Sequence, residues 1–142
     1  MKFVLEGILG KPAGKSHYWS ICVPLLEVYT QGKSRADAFS MIKEAVEVTA
    51  GGALKVKVHP CGDHFWIESD DDKKILAIML RRKRQLCKLS LAQVAAALKK
   101  KSINSYARYE QGKVLPKPET LLEILAILSP AQKPLFKLGV AS

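Results

Sequence analysis

At 142 residues, with 48% hydrophobic and 25% charged content, the chain is sized for one ordinary domain or two small ones and is too apolar to be disordered. No apolar run approaches the roughly 20 residues of a membrane helix, and residues 1–7 lack the apolar core of a signal peptide, so a cytoplasmic protein with no membrane partner is expected. The net charge of +10 is unevenly spread: residues 1–72 hold 8 Lys/Arg against 10 Asp/Glu, net −2, while residues 73–142 hold 15 against 3, net +12, which suits the second half to a polyanion.

Residues 2–9 and 17–23 are rich in β-branched and aromatic side chains and flank Gly10-Lys11-Pro12-Ala13-Gly14-Lys15-Ser16, a hairpin-loop composition, so two antiparallel strands are expected. A third strand follows at residues 26–30 and closes at Gln31-Gly32-Lys33. Ser34 with Asp37 three residues on resembles a capping box, and Ala38, Ile42, Ala45 and Thr49 recur at helical spacing until Gly51-Gly52. Leu54, Val56 and Val58 alternate with polar residues as a half-buried strand does, and residues 64–68 extend the sheet after a Pro60-Cys61-Gly62-Asp63 turn. The expected first domain, residues 1–69, is thus β-β-β-α-β with room for a fifth strand. Asp70-Asp71-Asp72 marks a composition boundary, giving a linker at residues 70–73.

From residue 74 to 142 the pattern is all-helical, with four to five helices, no strand and a short last helix after Ser129-Pro130; the fold class is α+β. Leu76, Met79, Leu80, Leu86 and Cys87 fit the first helix. Ser90 caps a short helix at residues 91–98, Lys99-Lys100-Lys101 turns, and Ser102 caps a second at residues 103–111, ended by Gly112. Small residues at the crossing, Ala95 and Ala96, and anchors Tyr106 and Tyr109 meet the packing needs of such a pair. Ile103, Asn104, Ala107 and Arg108 then lie on or near the outward face. Asn can pair with an adenine edge, Arg with guanine, and an aliphatic group with a thymine methyl.

Leu80-Arg81-Arg82-Lys83-Arg84, Leu89-Ser90-Leu91-Ala92-Gln93-Val94-Ala95 and Ser105-Tyr106-Ala107-Arg108-Tyr109-Glu110-Gln111-Gly112-Lys113 resemble the Cro and phage-repressor (XRE) type of helix-turn-helix domain over residues 74–128. The resemblance implies base readers at Ile103, Asn104 and Arg108. It implies backbone contacts at Ser90, Leu91, Lys101, Ser102 and Lys113, with a phosphate at the N-terminus of the helix that starts at Leu91. It also implies a structural ion pair between Arg84 and Glu110. The sequence departs from the family at Lys100, where a Gly is usual in a turn about one residue shorter, and at Lys88, which replaces a frequent Gly. The implied partner is a double-stranded DNA operator, bound by a homodimer or higher oligomer; Leu121, Leu122, Leu125 and Leu128 are core or dimer contacts.

Trp19-Ser20-Ile21-Cys22-Val23-Pro24-Leu25, Thr30-Gln31-Gly32-Lys33-Ser34-Arg35-Ala36-Asp37-Ala38 and Ile42-Lys43-Glu44-Ala45-Val46-Glu47 resemble the HicB antitoxin domain over residues 1–68, with Val28-Tyr29 where many members have Gly-Cys. That resemblance implies a partial RNase-H-like fold that masks a small basic HicA-like toxin, an RNA-cleaving enzyme, and a protein that represses its own operon. Trp19, Tyr29 and Trp66 are the candidate toxin contacts. The alternative is a phage-type repressor whose first domain only oligomerises or senses a ligand.

No catalytic residues, cofactor or metal are expected. His59-Pro60-Cys61-Gly62-Asp63-His64 offers ligand types without a zinc spacing or a fourth ligand. A magnesium nuclease using Glu27, Glu44, Glu47 or Asp63 would need carboxylates clustered as these positions do not promise. Cys22, Cys61 and Cys87 are too scattered for a disulfide framework and are expected to pack in a reducing compartment.

Overall fold

The computed structural model describes residues 2–100, 102–128 and 136–139. The chain forms two compact units, Met1–Asp71 with Leu135–Ser142, and Asp72–Pro134.

The first unit is an antiparallel sheet with one helix across one face. Its elements are β1 (Lys2–Gly10), β2 (Trp19–Val23), β3 (Val28–Gly32), α1 (Arg35–Thr49), β4 (Val56–Cys61) and β5 (His64–Ser69). The sheet order is β3-β2-β1-β5-β4, so α1 carries the chain from one edge strand to the other. Alternation fixes which side meets the helix: Phe3, Leu5, Leu9, Ile21, Val23, Val28, Val56, Phe65 and Ile67 are buried, opposite Ala38, Ile42 and Val46 of α1. Phe39 meets Phe65 edge-on, ring centroids 5.6 Å apart. Gly7 makes this possible, since a Cβ there would fall 1.9 Å from the Phe65 ring.

The Ser34 hydroxyl accepts from Asp37 N at 3.0 Å, and the Asp37 carboxylate answers with Lys33 N at 2.8 Å, one residue earlier than in a standard capping box. Left-handed Gly51 and Gly52 end the helix. Three local expectations are corrected. Residues 24–26 form a 3-10 turn before β3, with Glu27 left-handed after it. Gly32 lies within β3 rather than in a turn, and a Cβ on it would sit 2.3 Å from Ala38 N. Pro60 and Cys61 belong to β4, so the hairpin turns on Gly62-Asp63 alone, with Gly62 at φ 65° as a two-residue turn requires.

The expectation of no strand after Lys73 is also corrected: β6 (Phe136–Gly139) pairs with Lys2–Leu5 of β1. β5 takes one edge of β1, and β2 pairs only with Ile8–Gly10 of the other, which leaves that edge's first half for β6. The short helix expected after Ser129-Pro130 falls at residues outside those described.

The second unit contains α2 (Asp72–Leu86), α3 (Leu91–Ala97), α4 (Ile103–Glu110) and α5 (Pro118–Leu128). Ile75, Leu76, Met79, Leu80, Val94, Ala95, Tyr106, Leu121, Ile124, Leu125 and Leu128 form its core. Leu86 is exposed instead, and Leu122, 51% exposed, is the one residue of its leucine set outside the core. Among the cysteines only Cys22 is half-buried, and burial raises its thiol pKa; Cys61 and Cys87 are exposed, although Cys87 Sγ donates to Leu128 O at 2.6 Å.

Candidate nucleic-acid interface

α3 and α4 are set at their ends. A full capping box opens α3: Ser90 Oγ accepts from Gln93 N at 3.1 Å, and Gln93 Oε1 accepts from Ser90 N at 2.7 Å. Helix geometry leaves the N–H groups of Leu91 and Ala92 for partners outside the helix. Ser102 has the extended backbone of an N-cap for α4, but its side chain makes no cap bond and lies 3.2 Å from Ser105 Oγ instead. Lys101 lies outside the described residues.

α2, α3 and α4 all close with the same C-terminal motif. Lys88 N reaches Gln85 O and Leu89 N reaches Arg84 O; Lys99 N reaches Ala96 O and Lys100 N reaches Ala95 O; Gly112 N reaches Tyr109 O and Lys113 N reaches Arg108 O. Each needs one left-handed residue, supplied by Lys88 (φ 56°), Lys99 (φ 57°) and Gly112 (φ 69°). The position where a Gly is favoured in the α3–α4 turn is therefore Lys99 rather than Lys100.

The face of α4 sorts its side chains. Tyr106, Ala107 and Glu110 are buried, whereas Ile103, Asn104, Ser105 and Arg108 are exposed. Ala107 is thus a packing residue, contrary to its expected outward place, and Ser105 joins the outward set. Ala95 is buried at the crossing but Ala96 is exposed. Tyr109 is half-buried, edge-on to Tyr106 at 6.3 Å.

Beneath α4, Arg84 meets Glu110 with Nε to Oε2 at 2.7 Å and Nη2 to Oε1 at 2.9 Å, while Nη1 donates to Leu89 O at 3.0 Å. Arg81 Nη2 donates to Glu110 O at 3.2 Å. Burial and then the Glu110 carboxylate hold the Tyr106 phenol far above its usual range, so Tyr106 is a neutral anchor. Arg81, Lys88, Lys99, Lys113 and Lys117 are exposed.

Residues 80–129 match the helix-turn-helix family. The match runs from within α2 past the end of α5, and such a region is tied to DNA binding and transcription regulation. No curated protein and no solved structure matches the chain. No helix among the described residues is long and apolar enough to cross a membrane.

Outside the helix-turn-helix region, the candidate contacts of the sheet unit separate. Tyr29, 64% exposed, and the half-buried Trp66 lie on the sheet face opposite α1, with Ile8 and Cys22 in the same cross-strand row as Tyr29. Trp19 shares its parity with buried Ile21 and Val23 and so lies on the helix side. His59 pairs with Glu68 at 2.8 Å and His64 with Glu6 at 3.1 Å, and the described residues hold no group of three or more ligands arranged for a metal.

Proposed function

We propose that the protein is a HicB-like antitoxin and autorepressor: its sheet unit, a partial RNase-H-like domain, masks a small basic HicA-like toxin that cleaves mRNA, and its helix-turn-helix unit represses its own operon. The DNA-binding half rests on one observation, the outward presentation of Asn104, Ser105 and Arg108 on a helix anchored by Arg84 and Glu110. Asn104 and Arg108 are the base readers, with Ile103 beside them at the N-terminus of α4. Ser90, Leu91, Lys101, Ser102 and Lys113 contact the DNA backbone, which fixes register without reading sequence. The protein binds as a homodimer on a two-fold operator, is cytoplasmic and is not an enzyme.

The antitoxin half is supported by the order of β2 followed directly by Pro24, the Gln31-Gly32 segment and the Ser34-capped helix, ahead of a helix-turn-helix. Tyr29 and Trp66, on the open sheet face, are the toxin-facing anchors; Trp19, on the other side, leaves that set. A second reading, a repressor whose sheet unit senses a ligand, draws on the cleft beside Trp19.

The deciding experiment expresses the small open reading frame adjacent to the gene, with and without this protein. Growth arrest relieved by the full chain, and relieved less by a Tyr29→Ala, Trp66→Ala variant that still binds DNA, establishes the antitoxin reading. No arrest, or arrest the full chain cannot relieve, leaves the repressor reading.

A further inference from the structure

At the loop end of the sheet unit lies a cleft of about 360 Å³ lined by Leu9, Lys11, Trp19, Arg35, Gly62 and Asp63. Two of its walls are tied to the fold. Arg35 Nη2 donates to Gly62 O at 3.0 Å, and its guanidinium lies 4.9 Å from the centre of the Phe39 ring. Leu9 N ties down the turn through Asp63 O at 2.8 Å. A guanidinium held this way has less side-chain freedom to lose when a ligand arrives.

The charge is locally reversed. The domain-sized stretch 1–72 is net −2, yet the cleft is lined by two cations, Lys11 and Arg35, against one acid. Lys11 is exposed and has no carboxylate partner among the described residues. The Asp37 carboxylate is engaged by Lys33 N, and Arg35 is the first residue of α1, so the positive N-terminal end of that helix lies at the same end of the unit. Asp63 is the one acid in the lining and is largely exposed. Trp19 adds a half-buried indole to the same wall.

We propose that this cleft binds a nucleotide, its base on the Trp19 indole and its phosphate between Lys11 and Arg35. Aromatic stacking with a flanking cation is the chemistry by which single nucleotides are held without base pairing. The volume is at the small end of ligand sites, which run from roughly 300 to 1,000 Å³, and so admits one base with its phosphate rather than a longer ligand. Asp63 supplies an acceptor for an exocyclic amine. The nucleotide is either free or part of a single strand, and the two are separable by experiment. The proposal stands apart from the toxin reading, because the cleft lies on the helix side of the sheet and Tyr29 and Trp66 on the other.

The test uses the full chain carrying Trp66→Phe, so that Trp19 is the only indole, titrated with adenosine 5′-monophosphate, adenosine, inorganic phosphate and a short single-stranded oligonucleotide; calorimetry on the unaltered chain is the parallel measurement. Saturable quenching by the monophosphate, at least about tenfold tighter than by adenosine or phosphate and weakened about tenfold by Lys11→Ala, is expected, each factor of ten being about 1.4 kcal/mol. Quenching by the oligonucleotide alone, again lost in Lys11→Ala, assigns the cleft to single strands. The absence of saturable binding in both measurements, or binding indifferent to Lys11→Ala, overturns the proposal.

Discussion

Arg84 grips Glu110 through two hydrogen bonds of 2.7 and 2.9 Å, joining the last turn of α2 to the last turn of α4. The Glu110 side chain is 6% exposed and that of Arg84 17%, so this is a desolvated pair rather than a surface contact. The pair also raises the Arg84 pKa, so the guanidinium stays charged at any accessible pH.

Removing one partner strands the other. Glu110→Ala or Arg84→Ala should each destabilise the helical unit by about 3 kcal/mol, the usual cost of breaking a buried pair. The double variant should lose less than the two single losses summed. Denaturation followed by far-ultraviolet circular dichroism measures this, and single losses below about 1 kcal/mol would rank the pair with exposed salt bridges.

Two lysines occupy positions that favour glycine. Lys88 and Lys99 are left-handed at φ 56° and 57°, a conformation that costs a residue with a side chain about 1 to 2 kcal/mol. Lys88→Gly and Lys99→Gly should therefore each gain roughly 0.5 to 1 kcal/mol after the extra freedom of glycine in the unfolded chain is deducted. Gly112→Ala should lose a similar amount, because the nearest atom to its Cβ would be Lys73 O at an acceptable 3.6 Å and only the backbone is strained. If Lys99 contacts phosphate, Lys99→Gly gains stability while losing affinity for all sequences alike. No change in melting temperature for either lysine would show that its side chain repays the backbone cost.

Much of this architecture is legible in the residues. Ser34 with Asp37 and Gly51-Gly52 delimit α1, and alternation around Phe65 and Ile67 places β5, because these signals are local and periodic. The strand at Phe136–Gly139 is not legible: four residues with no turn signal become a strand only because β1 has a vacant half-edge. Helical spacing puts Ala107 on or near the outward face of α4, but the buried stripe of Tyr106 and Glu110 runs through it. The separation of Trp19 from Tyr29 could have been read from parity, since Trp19 is in phase with Ile21 and Val23 while Tyr29 is out of phase with Val28. What parity could not supply is the 3-10 turn and left-handed Glu27 that set the phase of β3 relative to β2.

Arg108 and Lys113 should fail in different ways. Arg108→Ala is expected to cost about 1 to 3 kcal/mol of operator affinity, concentrated at one base position. Lys113→Ala, just past the cap of α4, should weaken every sequence alike and make the dependence on salt shallower by about one unit of slope. Binding to an operator and to shuffled DNA over a range of salt separates the two. Equal losses on both DNAs for Arg108→Ala, or a sequence-selective loss for Lys113→Ala, would exchange their roles.

Glu47 makes the sheet unit sensitive to acid. Its carboxylate accepts from Val56 N at 3.0 Å, meets Lys43 Nζ at 3.0 Å and lies 3.7 Å from Lys55 Nζ, so it ties the end of α1 to the start of β4. The Val56 N–H first, then the Lys43 ammonium, hold its pKa below the ordinary value of 4.5. A carboxylate with a lower pKa folded than unfolded contributes stability that is complete above the unfolded pKa and disappears as pH falls through the folded one. Glu47→Gln should accordingly be less stable than the unaltered chain at neutral pH, and the difference should shrink as pH falls below about 4.5. Both tryptophans, Trp19 and Trp66, belong to the sheet unit, so their fluorescence during denaturation reports this unit without interference from the helices. A difference that stays constant down to the acid limit would mean that Glu47 acts through packing or shape, and that the Val56 bond does not depend on the charge.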